Sequence, residues 1–224
     1  MSAKGKQNVK SRILIVDDHP MTRQGLVTLI EHQPDWAVCF EAQNAEQALE
    51  AIAKTKPDLA LVDISLPGKS GLELIKDIRA LRENLPVLVI SMHDESLYVE
   101  RVLRAGARGY VPKHSGAAKI VEAICAVLNG RIYVSEEMSA HFLEQLSGRP
   151  SPQMRSPVEQ LSDREFEVFE LIGQGLSAHE IAKRLCLSAK TVDAHRANIK
   201  EKLKIKTTAE LISYAARWNA ANDK

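Results

Sequence analysis

Cysteine is scarce and scattered in this chain. Cys39, Cys125 and Cys186 stand far apart, with none of the spacings that a metal site or a redox pair needs. Each lies in an apolar pattern, which predicts a small core residue and suits a reducing cytoplasm. No apolar run approaches the about 18 residues of a membrane-spanning helix, so no membrane span is expected and the protein is placed in the cytoplasm. The opening MSAKGKQNVK is polar and basic and lacks the apolar stretch of a secretory signal, so it reads as a frayed tail. An excess of one charge is missing too. The net charge is +1, which taken alone argues against a nucleic-acid partner.

What is present is more informative. The 224 residues are enough for two ordinary domains, and 45% apolar with 26% charged residues is a soluble globular composition. Charge is unevenly spread. Lys190, Arg196, Lys200, Lys202, Lys204 and Lys206 face only Asp193 and Glu201 within their stretch, whereas Glu159, Asp163, Glu165, Glu167 and Glu170 are offset by Arg164 alone. The C-terminal part is polarised, and a footprint for DNA can be local.

From Arg12 to Gly130 short apolar runs alternate with helical spacing. Runs at Arg12–Asp17, Trp36–Phe40, Leu59–Val62, Pro86–Ser91 and Gly109–Val111 read as strands. Between and after them Met21–Glu31, Ala45–Ala53, Leu72–Leu81, Leu97–Ala105 and Ile120–Leu128 read as helices, with Met21, Leu26, Leu29 and Ile30 on the first apolar face. Five such alternations predict a parallel sheet covered on both faces. Ser135–Leu146 reads as a further helix, and the proline-rich SGRPSPQMRSP after it as a linker. Beyond Leu161 strands give way to four short helices. Ser162 with Glu165 and Ser177 with Glu180 make capping boxes for two of them, Ser188 caps the third, and Thr207 or Thr208 the fourth. These helices predict a small bundle.

The first part carries a constellation. Its first strand ends in Asp17 and Asp18, its third in Asp63, its fourth in Ser91, and Lys113 follows its fifth. In a doubly wound sheet the first, third and fourth strands are neighbours, so these groups converge at one edge. Clustered carboxylates repel, and a hard divalent cation such as Mg2+ relieves the repulsion while neutralising an incoming phosphoryl group. A carboxylate can then attack phosphorus and hold an acyl phosphate, with Ser91 and Lys113 placed to bind phosphoryl oxygens. A metal-dependent phosphatase with Asp63 as nucleophile is the first rival, but it wants a second acid where Ser65 stands. A flavin-binding module is the second; it needs a hydroxyl- and glycine-rich loop where the chain has Asp18-His19-Pro20.

The succession VDDHP, LVDISLPGKSGLEL, VISMHD and GARGYVPKHS resembles the receiver domain of two-component response regulators, from about Ser11 to Gly130. The His19-Pro20 pair after the acids is similar to the NarL/FixJ branch. That resemblance implies a flavodoxin/CheY-like α/β receiver fold with Asp63 as phosphoacceptor. It also implies Mg2+ held by Asp17, Asp18, Asp63 and the Ser65 backbone carbonyl. Ser91 and Tyr110 become the switch pair, and Lys113 the lysine of the phosphoryl site. Two positions depart from the pattern: Pro112 precedes Lys113 where many receivers have Pro after it, and Ser65 stands where this branch often has Asn. Ser65 and His93 face the phosphoryl group in the family.

In the last part, Ala178–Leu185, a turn at Cys186–Leu187 and Ala189–Leu203 are spaced as a helix-turn-helix. Val192, Ile199 and Leu203 mark the inner face of the second helix, with His195 packed between them; Lys190, Asp193, Arg196, Ala197 and Lys200 mark the outer one. A basic face interrupted by small residues can enter a major groove closely. LSDREFEVFELIGQGLSAHEIAKRLCLSAKTVDAHRANIKEKLKIKTTAELISYA resembles the LuxR-type helix-turn-helix almost end to end. By position, Lys190, Thr191, Arg196 and Lys200 suit phosphates, and Asp193, Ala194 and Ala197 suit base edges. The final helix, with Leu211, Ile212 and Ala215, is similar to the family's dimer contact. The resemblances together imply a transcription factor rather than an enzyme. A sensor histidine kinase would be the phosphodonor, double-stranded DNA with inverted-repeat-like half-sites the target, and a homodimer the active form. The expected division is 11–130 receiver, 131–158 helix and linker, and 159–224 DNA-binding domain.

Overall fold

The computed structural model describes residues 10–146 and 157–222. The tail before Lys10 and all but the last residue of the proline-rich linker reading lie outside the described residues. The chain divides into two units, up to Ser135 and from Glu136 onward.

The first unit alternates strand and helix. β1 (Ser11–Val16), β2 (Trp36–Ala42), β3 (Leu59–Val62), β4 (Val87–Ser91) and β5 (Gly109–Pro112) form one parallel sheet in the order β2-β1-β3-β4-β5. Around it lie α1 (Pro20–Glu31), α2 (Ala45–Thr55), α3 (Gly71–Leu81), α4 (Glu95–Ala105) and α5 (Ala117–Leu128). Residues of β1, β3 and β4 are buried on both faces, which is why these strands read as unbroken apolar runs rather than alternations. One layer of the core joins Ile13, Ile15, Leu61 and Ile90 to Leu26 and Ile30 of α1 and Ile120 and Ile124 of α5.

The sheet does not stop at β5. Tyr133 makes a parallel bridge to Gly109, donating its N–H to the Arg108 carbonyl at 3.0 Å and accepting from the Tyr110 N–H at 2.9 Å. The chain after α5 therefore returns to cover the outer edge of β5. A side chain at position 109 would meet the Tyr133 carbonyl oxygen at 2.6 Å, so the pairing needs glycine there. Ser135 N–H then donates to Glu95 Oε1 at 2.8 Å, fastening the strap to the start of α4.

Two expectations need correcting. Met21 is 87% exposed, not part of the α1 apolar face, because five residues before Leu26 is about 140° round the helix from the buried stripe. The cysteines are not core residues either: Cys125 and Cys186 are exposed and Cys39 is half-buried. Cys125 lies beside the buried stripe of α5 rather than on it, and Cys186 occupies a turn with φ +51°.

The second unit is helical: α6 (Glu136–Leu146), α7 (Asp163–Gly173), α8 (Ala178–Arg184), α9 (Ala189–Lys202) and α10 (Thr208–Asn222). Ser162 and Ser177 close complete capping boxes with Glu165 and Glu180, and Ser188 accepts from the Thr191 N–H. Thr207 Oγ1 accepts from the Glu210 N–H at 3.2 Å at the start of α10. Phe166 and Phe169 of α7 meet Trp218 edge-on at ring-centre distances of 5.5 Å each. Leu211 and Ala215 are fully buried in this unit, so of the three residues expected to offer a dimer contact only Ile212 is exposed. Among the described residues no helix is long and apolar enough to cross a membrane.

Candidate functional site

The strand order makes β1, β3 and β4 neighbours, and the residues at their C-terminal ends meet as the sheet type requires. Asp17, Asp63 and Ser91 are all buried, and Lys113, directly after β5, reaches the two carboxylates. Its Nζ lies 2.6 Å from Asp63 Oδ2 and 2.8 Å from Asp17 Oδ2. Burial opposes the Lys113 ammonium, but Asp63 and then Asp17 outweigh it and hold its pKa above the ordinary lysine value.

Asp17, Asp18, His19 and Asp63 each offer a ligand atom, all within 4.8 Å of one another. Asp17 Oδ2 and Asp18 Oδ1 are buried yet receive no well-aligned hydrogen bond, although Lys113 Nζ lies 2.8 Å from the first and His19 Nδ1 2.7 Å from the second. A hard cation would satisfy both oxygens, and three carboxylates are the donors Mg2+ prefers. The acidic pocket fits that ion. His19 belongs to the group although its role in the sequence is to open α1, and its place directly after the acidic pair was the available signal. Ser65 N–H donates to Asp63 Oδ1 at 3.3 Å, which holds the β3–α3 loop against the carboxylate. Gly71 is a further residue that pattern reading passes over. A Cβ there would collide with the Asp63 carbonyl oxygen, so only glycine lets α3 begin so close to the acid.

Tyr110 is fully buried. Its hydroxyl donates to the His93 carbonyl at 2.7 Å, and burial pushes its pKa well above the usual phenol range, partly countered by Ser91. Ser91 Oγ accepts from the His93 N–H at 3.3 Å.

On α9, the three- and four-residue spacing of Lys190, Asp193, Ala194 and Ala197 brings them to one exposed stripe. Thr191 is exposed, with its hydroxyl 2.7 Å from the Ser188 cap oxygen. Arg196 lies at the border of this stripe, its side chain 19% exposed and 3.8 Å from Asp193 Oδ1. Lys200 is half-buried, and Val192 and Ile199 face the core. The turn before α9 uses Cys186 in the left-handed region, an unusual conformation for a residue with a side chain.

A parallel sheet with clustered carboxylates and a lysine at its C-terminal edge, followed by a helix-turn-helix, defines a sensor-to-DNA regulator. Residues 13–125 match the response regulator receiver domain, and residues 159–215 match the bacterial regulatory proteins of the luxR family. The oxygen regulatory protein NreC of Staphylococcus carnosus is 32% identical over 92% of this chain and 97% of its own. RcsB of Salmonella typhimurium is similar in structure over 93% of this chain and 98% of its own, with TM-score 0.68 and 25% identity. A RcsB structure bound to promoter DNA with a phosphomimetic matches with TM-score 0.65 at 25% identity, over 92% and 98% of the two chains. A LuxR-family response regulator of Aurantimonas sp. is 38% identical, with TM-score 0.58, over 62% of this chain and 99% of its own. The chain belongs to the two-component response regulators that join a receiver domain to a LuxR-type DNA-binding domain, a family of transcription regulators.

Proposed function

We propose that Asp63 accepts a phosphoryl group from a sensor histidine kinase in the cytoplasm, and that this gates DNA binding by α9. The observation that carries the reading is the sharing of one buried ammonium, Lys113, between Asp63 and Asp17 beside Asp18. A nucleophilic carboxylate, a cation-binding pair and a phosphoryl-binding cation are thereby within reach of one another.

In the transfer, the N–P bond of a kinase phosphohistidine breaks as an Asp63 carboxylate oxygen forms the new O–P bond. The leaving histidine nitrogen keeps the electron pair and takes up a proton. Held by Asp17, Asp18, Asp63 and the Ser65 carbonyl, Mg2+ would supply charge that offsets the phosphoryl oxygens. Lys113 pairs with one phosphoryl oxygen, and the Ser91 hydroxyl turns to donate to another. Tyr110 is already buried with its hydroxyl on the His93 carbonyl, so the turn of Ser91 fixes it there, and the surface formed by α4, β5 and α5 changes with it. A local change of charge thus biases a two-state element.

The DNA end of the reading rests on the α9 stripe and on RcsB, whose promoter-bound structure carries a phosphomimetic. Lys190, Thr191, Arg196 and Lys200 contact phosphates, and Asp193, Ala194 and Ala197 face base edges. A homodimer on inverted-repeat-like half-sites is the active form.

The test is intact mass after incubation with Mg2+ and acetyl phosphate. One phosphoryl group is added to the full chain, none to Asp63→Asn, and none when Mg2+ is chelated. Addition to Asp63→Asn at the same level would overturn the assignment.

A further inference from the structure

The β4–α4 loop holds one residue whose backbone and ring make separate ties. His93 donates its backbone N–H to Ser91 Oγ and accepts the Tyr110 hydroxyl at its carbonyl. Its ring Nε2 lies 2.8 Å from Ser65 Oγ, in the β3–α3 loop next to Asp63. The same ring rests on Tyr98 of α4, with ring centres 4.6 Å apart, and Tyr98 is itself buried. Ser65 is fixed in turn by its N–H to Asp63 Oδ1. Three hydrogen bonds, joined through the covalent frames of Ser65 and His93, therefore link the acid to the carbonyl that receives Tyr110.

We infer that His93 is a positioning residue: its ring, clasped to Ser65, sets the β4–α4 loop so that the His93 carbonyl holds Tyr110 in the buried position that accompanies phosphoryl binding. The inference rests on the proposed receiver chemistry. The geometry gives the clasp a direction. Tyr110 is buried already, with its hydroxyl on the loop. Ordering the loop before a phosphoryl group arrives removes that cost from the binding step, so the clasp raises affinity for the group. A direct contact between the imidazole and the phosphoryl group would also raise affinity, but it would not need Ser65 and would not move Tyr110.

The experiment is calorimetric titration of the full chain with beryllofluoride in the presence of Mg2+. It is paired with 19F NMR of protein carrying fluorotyrosine, the Tyr110 signal being assigned by Tyr110→Phe. His93→Ala and Ser65→Ala each weaken binding about fivefold, the effect expected for the loss of one hydrogen bond. The double variant is no weaker than either single one, because both remove the same contact. His93→Gln, which puts an amide nitrogen near the place of Nε2, recovers most of the affinity. The Tyr110 signal shifts in both alanine variants and returns in His93→Gln. Unchanged affinity, additive losses or an unmoved Tyr110 signal would each overturn the clasp. If the wild-type chain itself shows no heat and no shift, the receiver reading falls and the clasp with it. A responsive wild type with alanine variants that bind as tightly as it does removes the clasp alone.

Discussion

A single ammonium, that of Lys113, is shared by two buried carboxylates that belong to different strands, Asp17 at the end of β1 and Asp63 at the end of β3. Taking charges from water is costly, and the arrangement is tolerated because the Lys113 charge lies within 2.8 Å of both acids.

Replacing that lysine by a neutral side chain leaves the acids facing each other. Lys113→Met is expected to lose about 3 kcal/mol of stability at neutral pH, the usual effect of orphaning a buried charge. Millimolar Mg2+ recovers part of the loss, since a cation in the acidic group replaces the missing charge. Urea unfolding of both proteins with and without Mg2+ measures this. The Lys113 pKa is raised in the fold, so its contribution is whole below the ordinary lysine value and is lost only as pH climbs through the higher folded value. The charge of Lys113 is thus constant across the physiological range.

The helical unit titrates in the acid range instead. Glu165 is buried at the start of α7, where burial opposes its charge. The hydrogen bond from Lys202 Nζ at 2.6 Å, followed by those from Ser162, overcomes that and holds its carboxyl below the usual range. A lowered folded pKa means stability that is complete above the unfolded value, about 4.3, and lost as pH falls through the folded one. Glu165→Gln flattens this acid limb and costs about 1 kcal/mol at pH 7, a modest figure because the Lys202 side chain is 39% exposed. Trp218 fluorescence follows the unfolding of this unit in a Trp36→Phe background, where the other tryptophan is silent.

At the α9 stripe the two kinds of contact separate by their salt response. Lys200→Ala weakens binding to all duplexes alike and lowers the slope of log affinity against log salt by about 0.9, one phosphate contact. Asp193→Ala leaves that slope nearly unchanged and alters the preferred base at one position per half-site. Fluorescence anisotropy over a salt series, with a set of single-base operator variants, distinguishes the two outcomes.

The alternation of strands and helices was legible because burial on both sheet faces makes β1, β3 and β4 apolar throughout, and because serine caps announce three of the C-terminal helices. Asp63 and Lys113 are fifty residues apart, yet their meeting follows from strand order. What stayed hidden depends on angles or on pairings between loops. Met21 looked apolar but falls outside the helical stripe, and Cys125 lies beside one. The Ser65–His93 hydrogen bond joins two loops that no periodicity relates. Gly71 is needed for the backbone that passes it, and composition cannot show that. The Tyr133 bridge left a faint trace, the short β-branched run around it, but its length is that of a turn.

That bridge also bears on how the first unit can be handled. An uncovered edge strand is a template for pairing with another chain. A fragment cut at Gly130 would keep all five strands and helices yet lose Tyr133, Ser135 and their bonds to β5 and Glu95. Its β5 edge would then be bare. Self-association of such a fragment would report an artificial edge, whereas a cut after Ser135 leaves the β5 edge covered by its own chain.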